Sequence, residues 1–294
     1  MGNLTLSESF ILEEPKKEQL YQLFEDVFGI PVQTLQNFEA RGFWDCTYRS
    51  FAYLKDEQAI ANVSMFSLPM LVNGERIKAA GIQSVMTHPD YQRKGLMKQI
   101  FNEVLKEIDE QYECAVLFTE HPELYTPFGF RVVQEHLMTL SYEDTQNETT
   151  SLRKLDFYDE TDMQLVKGIL DNGQSLSQEF TTLNYQSSFY FNMYDARWND
   201  KLYYSEKLDA VIVYEVKDQV LKLFGVFAPI IPILDEVCAE IHESFVEIEF
   251  YFYPDELGVE DAKHKEYQSK KHLMIRGDDN IEFKGYKFPI LAEF

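Results

Sequence analysis

The sequence predicts an α/β fold in which mixed sheets carry helices on both faces, built as two tandem domains of one plan. Three observations lead to this prediction. The chain has 294 residues, which suits two domains of about 150 residues each. In the first half, strand alternation gives way to helical periodicity and then to a buried strand, which is the order of a βαβ crossover. The second half repeats that order of elements without detectable sequence identity.

The two domains are expected over residues 1–145 and 150–294. Residues 143–151 (EDTQNETTS) separate them. This segment is polar and shows neither helical nor strand periodicity, so it predicts a linker.

The first half is expected to begin with an extended segment, to continue with helices and then to form an antiparallel meander. Apolar residues of 16–28 recur on one helical face, and Gly29 ends that helix. A second short helix is expected before Gly42. Alternating segments then predict strands over 48–55, 59–70 and 76–87, the last two joined by an Asn-Gly hairpin turn.

A crossover follows the meander. Apolar residues recur at helical spacing from Gly95 to Ile108, and CAVLFT at 114–119 reads as a buried strand. The strand at 114–119 is therefore expected to lie parallel to the one that ends near Thr87. Residues 131–142 are expected to return as two strands that close the first sheet.

The second half is predicted from the same patterns. It has a strand at 152–157, a helix at 161–170, three strands at 201–208, 210–216 and 220–228, a helix at 233–245 and a strand at 246–253.

The charge excludes some partners and favours others. Asp and Glu total 50 against 27 Lys and Arg, for a net charge of −23 spread over both halves. Such a surface repels the phosphate backbone, so no nucleic-acid partner is expected, and it attracts small cationic molecules.

The sequence lacks the residue patterns of metal sites and of membrane or export segments. The three cysteines have no CxxC spacing and the six histidines no paired metal-ligand spacing, so we expect no metal. Neither a basic start followed by an apolar run nor a stretch of membrane-spanning length is present. We therefore expect a cytoplasmic protein with no membrane partner.

The segment after the third predicted strand carries the chemistry. Consecutive backbone N–H groups in a short loop before a helix converge on one spot, where the positive end of the helix dipole adds to them. Gly95 allows close approach of the backbone, while Arg93 and Lys94 supply positive charge. The sequence predicts a pyrophosphate site here, formed by Gln92, Arg93, Lys94, Gly95, Leu96, Met97 and Lys98.

This loop resembles the signature of the GNAT superfamily of acyl-CoA-dependent N-acyltransferases, Gln/Arg-x-x-Gly-x-Gly/Ala. The match covers 92–96, and Met97 departs from it by replacing a small residue. The first half is similar to the enhanced intracellular survival (Eis) family, as is, more weakly, the tandem arrangement; we expect no counterpart of that family's third, sterol-carrier-like domain. The resemblance implies acetyl-CoA as donor, with its pantetheine arm along Ser84, Val85, Met86 and Thr87.

A second motif, ELYTPFGF at 123–130, supports the resemblance. In GNAT proteins a tyrosine in this position lies beside the thioester sulfur, so Tyr125 is the candidate general acid for the departing thiolate. The base is open, because residues 81–87 contain no carboxylate. Glu120 and the C-terminal carboxylate of Phe294, a role that the Eis family implies, are both candidates.

The second copy lacks this loop. Pro229-Ile230-Ile231-Pro232 stands in its place, with two prolines that donate no N–H and no basic residue. The resemblance then implies a degenerate second GNAT-like domain, expected to wall the acceptor pocket and to form subunit contacts in a homo-oligomer.

Together these observations predict an N-acetyltransferase that transfers the acetyl group of acetyl-CoA to a primary amine by direct attack in a ternary complex. An aminoglycoside, a polyamine and a protein lysine all fit as acceptor. The alternative is a non-catalytic acyl-CoA-binding or regulatory protein that keeps the loop.

Overall fold

The computed structural model describes residues 4–10, 16–143, 152–277 and 281–294. The predicted linker lies outside the described residues except for Glu143. The chain forms two compact units. The first consists of Met1–Pro69, Ile77–Arg131 and Met274–Asp278, and the second of Met70–Arg76, Val132–Leu273 and Asp279–Phe294.

The elements up to residue 143 follow the predicted order. They are β1 (Leu4–Phe10), α1 (Lys16–Phe28), α2 (Val32–Ala40), β2 (Arg49–Lys55), β3 (Gln58–Val72), β4 (Glu75–Thr87), α3 (Leu96–Gln111), β5 (Cys114–Thr119), β6 (Arg131–Val132) and β7 (His136–Ser141).

The later elements include five that the sequence patterns do not predict, β9, α5, α6, β14 and β15. The full set is β8 (Leu152–Lys154), α4 (Glu160–Asn172), β9 (Phe180–Thr182), α5 (Gln186–Asn192), α6 (Ala196–Asn199), β10 (Leu202–Ser205), β11 (Ala210–Lys217), β12 (Val220–Phe227), α7 (Leu234–Ala239), β13 (Glu247–Phe250), β14 (Lys263–Glu266) and β15 (His272–Gly277).

The sheet of the first unit is mixed. Strands β1 to β5 lie side by side in chain order, with β1–β2 and β2–β3 antiparallel. Strands β4 and β5 are parallel, and α3 connects them, which confirms the predicted crossover. The apolar face of α3 packs on this sheet in a core of buried residues that includes Ile100, Phe101 and Val104.

The second unit holds another mixed sheet, of order β14-β7-β13-β12-β11-β10-β8. Strands β12 and β13 are parallel and α7 connects them, which confirms a second βαβ crossover. The expectation for β7 was wrong: instead of closing the first sheet, it pairs antiparallel with β13 and β14. Its partners lie more than a hundred residues away in the chain, so local periodicity carries no information about them.

The helix predicted over 233–245 is shorter than its apolar pattern. It ends at Ala239, where the N–H groups of Glu240 and Ile241 bond three residues back, to Val237 and Cys238. Phe245 is nevertheless buried, from a non-helical segment. Among the described residues, none of the helices combines the length and the apolar character needed to cross a bilayer.

Candidate active site

Strand β4 parts from β5 before it ends. The parallel pairing joins residues 79–81 of β4 to 114–116 of β5, yet β4 continues to Thr87. Ser84 lies within this extension and has φ +53°, a left-handed conformation that non-glycine residues rarely adopt. The end of β4 therefore offers an edge that β5 does not cover.

The loop after β4 brings its backbone to the start of α3. A 3₁₀ turn over Pro89–Tyr91 follows the strand, Arg93 has φ +60°, and Gly95 caps α3 with φ +75°. Within the described part of the chain, the backbone N–H groups of residues 93–98 donate no hydrogen bond. Six consecutive donors are thus left for a ligand.

The position of these donors favours an anion. The first N–H groups of any helix lack acceptors inside the helix, and the helix dipole places about half a positive charge at that end. Helix α3 is 16 residues long, so the effect is fully developed. Phosphate groups bind at such helix termini.

A cavity of about 520 Å³ opens over this loop. The predicted residues Thr87 and 92–98 line it, whereas Ser84, Val85 and Met86 lie further back on β4 and do not. Six lining residues are not predicted from the sequence as site residues: Tyr91, Asn102, Glu123, Leu124, Pro127 and Phe128. The last four belong to the motif at 123–130 around Tyr125, so their place in that motif is the sequence signal that could have identified them.

The cations at the loop differ in how they are held. Arg93 and Lys98 are exposed and have no ion-pair or hydrogen-bond partner among the described residues. The ammonium of Lys94 is already engaged, since it donates to the carbonyl of Asp90 at 2.8 Å and lies 4.6 Å from the centre of the Tyr91 ring. Arg93 and Lys98 are therefore the freer charges for an anionic ligand.

Gly95 is required at its position by backbone geometry. Its φ of +75° strains any residue with a side chain. A Cβ built there would meet no atom of the described chain within 4 Å. The space beside Gly95 is open, which lets a ligand approach the backbone closely.

Tyr125 is buried between α3 and the segment after β5. Its ring lies 5.5 Å from that of Phe101 and 6.3 Å from that of Phe130, measured between centroids. Its hydroxyl makes no hydrogen bond within the described part of the chain. Burial raises the pKa of Tyr125 to about 12, so the phenol keeps its proton at neutral pH.

The two candidate bases differ in their surroundings. Glu120 follows β5 directly and is exposed. Phe294 belongs to the second unit, where it is half-buried and the side chain of Asn192 donates to the carbonyl of Glu293 at 2.9 Å. Neither role is tested by this geometry, and both stay predictions.

A buried polar network behind β4 is not predicted from the sequence. Asn62 and Ser64 of β3 are fully buried and hydrogen-bond to each other. Asn62 also donates to the carbonyl of Ser84 at 2.8 Å, and the Tyr48 hydroxyl lies 3.2 Å from the Ser84 hydroxyl. The one signal in the sequence is polar residues at alternate positions of a strand that is otherwise almost wholly apolar.

The corresponding loop of the second unit has no free row of donors. Pro229 and Pro232 carry no N–H, Ile231 donates to Gln174 Oε1 at 3.1 Å, and Ile233 donates to Glu236 Oε2 at 3.2 Å. The prolines and these internal hydrogen bonds leave little of the backbone for an anion.

The first unit thus combines a sheet in which the fourth strand parts from the fifth with a loop of unpartnered backbone N–H groups at the start of the following helix. Residues 11–133 match the model of the acetyltransferase (GNAT) domain. The chain therefore contains a GNAT acetyltransferase domain.

Solved structures share the fold over most of the chain. One is a conserved protein of unknown function from Enterococcus faecalis V583, described as a probable N-acyltransferase (16% identity, TM-score 0.57, 93% of this chain and 72% of that chain). Others are a GCN5-related N-acetyltransferase from Kribbella flavida (16%, 0.56, 93% and 71%) and Eis1 from Mycobacterium abscessus (12%, 0.57, 92% and 73%). A search of curated proteins gives no match.

Proposed function

We propose that this protein is an N-acetyltransferase that uses acetyl-CoA as donor and a primary amine as acceptor. The observation that carries the proposal is the row of six unpartnered backbone N–H groups at residues 93–98, at the N-terminus of α3 and facing a cavity. A pyrophosphate fits such a row, because each oxygen accepts several hydrogen bonds and its charge lies at the positive end of the helix. The open space at Gly95 supports this fit.

The chain's own groups supply the other functions. The uncovered edge of β4 from Ser84 to Thr87 presents backbone groups to the pantetheine arm and to the carbonyl of the acyl group. Bound acetyl-CoA supplies an activated thioester. Tyr125, neutral and without a hydrogen-bond partner, donates its proton to the leaving thiolate.

Two features bear on the acceptor and on the second unit. The net charge of −23 favours a cationic amine, so aminoglycosides, polyamines and protein lysines are the classes to test. The occupied loop at Pro229–Pro232 supports a second GNAT-like domain that binds no acetyl-CoA. Glu120 and the carboxylate of Phe294 are the proposed alternatives for the base.

Two measurements test the proposal. Calorimetric titration with acetyl-CoA should give saturable binding with one site per chain, and absence of binding would contradict any acyl-CoA function. Release of free thiol is then followed with a panel of the three acceptor classes. Turnover with at least one of them supports the enzyme, whereas binding without turnover on every acceptor supports the non-catalytic alternative.

A further inference from the structure

Ser84 is held in a conformation that it would not adopt alone. It is a non-glycine residue with φ +53° inside a strand, three residues after the last pairing of β4 with β5. Left-handed backbone at such a residue persists only where surrounding contacts fix it. The contacts around Ser84 identify what fixes it.

Asn62 of β3 holds the carbonyl of Ser84. Its Nδ2 donates to that carbonyl and to Ser64 Oγ, each at 2.8 Å. Its Oδ1 accepts from Ser50 Oγ at 2.7 Å. The Asn62 side chain is fully buried and bonded at both ends of its amide, so it has one orientation and the Ser84 carbonyl is drawn toward it.

Tyr48 holds the side chain of the same residue. Its hydroxyl lies 2.8 Å from Ser64 Oγ and 3.2 Å from Ser84 Oγ. Burial raises the pKa of Tyr48 to about 12, so the phenol stays neutral. Its single proton is donated to one of the two serine hydroxyls, and the other serine hydroxyl donates to the phenol oxygen. Both the carbonyl and the hydroxyl of Ser84 are thus bound to one buried network.

The orientation of one carbonyl sets the orientation of the next N–H. A trans peptide is planar, so the N–H of Val85 points opposite to the carbonyl of Ser84. Strand β4 lies between β3 and β5, and β5 is no longer paired with β4 at this point. An N–H directed away from Asn62 therefore faces the uncovered edge.

We infer that Asn62 is a positioning residue of the acetyltransferase site, which fixes the Ser84–Val85 peptide so that the Val85 N–H serves the thioester carbonyl or the pantetheine arm. This inference rests on the proposed function. Asn62 itself touches no substrate and acts through the backbone of β4.

The test compares Asn62→Ala with a matched control, Ser50→Ala. Ser50→Ala removes one hydrogen bond from the buried Asn62 amide, whereas Asn62→Ala removes that amide with its bonds to Ser50, Ser64 and Ser84. Both are expected to lower the thermal midpoint, Asn62→Ala by more. Only Asn62→Ala releases the Ser84 carbonyl, so it alone should weaken the binding of acetyl-CoA, which carries both the thioester carbonyl and the pantetheine arm, by about tenfold in calorimetry. It should also raise the KM for acetyl-CoA and leave the KM for the amine unchanged. Equal affinities of the two variants would overturn the inference.

A second pair covers the case in which Asn62→Ala does not fold. Ser84→Gly removes the backbone strain and keeps the carbonyl bond to Asn62, so its measured affinity for acetyl-CoA is the reference for this pair. The double variant Asn62→Ala/Ser84→Gly lacks both the backbone strain and the hydrogen bond to the Ser84 carbonyl. It is expected to fold and to bind acetyl-CoA about tenfold more weakly than Ser84→Gly. Identical binding of this pair would show a purely structural network. A wild-type protein that binds no acetyl-CoA would instead contradict the proposed function, and the inference with it.

Discussion

Replacement of Gly95 by alanine separates backbone strain from ligand access. The residue has φ +75°, and a Cβ there contacts no described atom within 4 Å, so the cost to the fold is that of the left-handed conformation alone. That cost is about 1–2 kcal/mol. Since 1 kcal/mol lowers the melting temperature of a protein of this size class by about 2–4 °C, we expect a decrease of about 2–8 °C.

The effect on binding should be larger than the effect on stability. The new methyl group stands in the open space beside the six N–H groups, where it keeps a phosphate from close contact. The loss of one hydrogen bond to a charged group costs about 1.5–3 kcal/mol, which corresponds to a roughly 10- to 150-fold weaker affinity for acetyl-CoA in calorimetry.

Gly29 provides the control. It has φ +68°, also has no atom within 4 Å of a built Cβ, and follows α1 rather than the loop. Gly29→Ala should therefore lower the melting temperature to a similar extent and leave the affinity for acetyl-CoA unchanged. The reasoning would be refuted by a Gly95→Ala protein with wild-type affinity, or by equal losses of affinity in the two variants.

Three further predictions concern other residues. Tyr125→Phe should lower turnover about 10²-fold without changing acetyl-CoA affinity, as measured by thiol release and calorimetry. The pKa of Tyr125 is about 12 in the folded protein and about 10 in the unfolded chain, so the unfolded chain loses this proton first as the pH rises. Denaturant titrations should therefore show the wild type losing more stability than Tyr125→Phe between pH 10 and pH 12. Arg93→Gln should weaken acetyl-CoA binding roughly fivefold, as expected for about 1 kcal/mol from an exposed ion pair, and Lys94→Gln less, because its ammonium already bonds the Asp90 carbonyl; equal losses in calorimetry would contradict the difference. The buried ammonium of Lys287 lies 3.0 Å from a carboxylate oxygen of Glu135 and 2.6 Å from one of Glu293, so Lys287→Met leaves both carboxylates without their cation and should destabilise the fold by about 3–5 kcal/mol in chemical denaturation. The control is Lys284→Met at an exposed ion pair, which should cost less than about 1 kcal/mol.

The fold was predictable where its determinants are local. The period of 96–108 and the apolar run of 114–119 each lie within one element, and both elements form as expected. The partner of β7 was not predictable, because strand pairing depends on residues far away in the chain. The helix at 234–239 also ended early, since buried apolar residues after it keep a helical spacing without helical hydrogen bonds.

The candidate site likewise has a part that was predictable from local sequence and a part that was not. The donors at 93–98 are contiguous, so the loop was visible as one segment. The hydrogen bonds that fix Ser84 could not be predicted, because Asn62 and Tyr48 come from other parts of the chain. Their contribution depends on burial and on hydrogen-bond geometry, which no spacing in the sequence expresses.

The use of main-chain donors at residues 93–98 has a consequence for how this site varies among proteins. Every residue except proline carries the same N–H, so most side-chain replacements leave the donors in place. Met97, which stands where related sequences have a small residue, leaves the row of donors intact. The replacements that matter at such a loop are those of the glycine, which permits close approach, and those that introduce proline, which removes a donor. A loop of this kind can therefore keep its capacity to bind an anion while most of its side chains change.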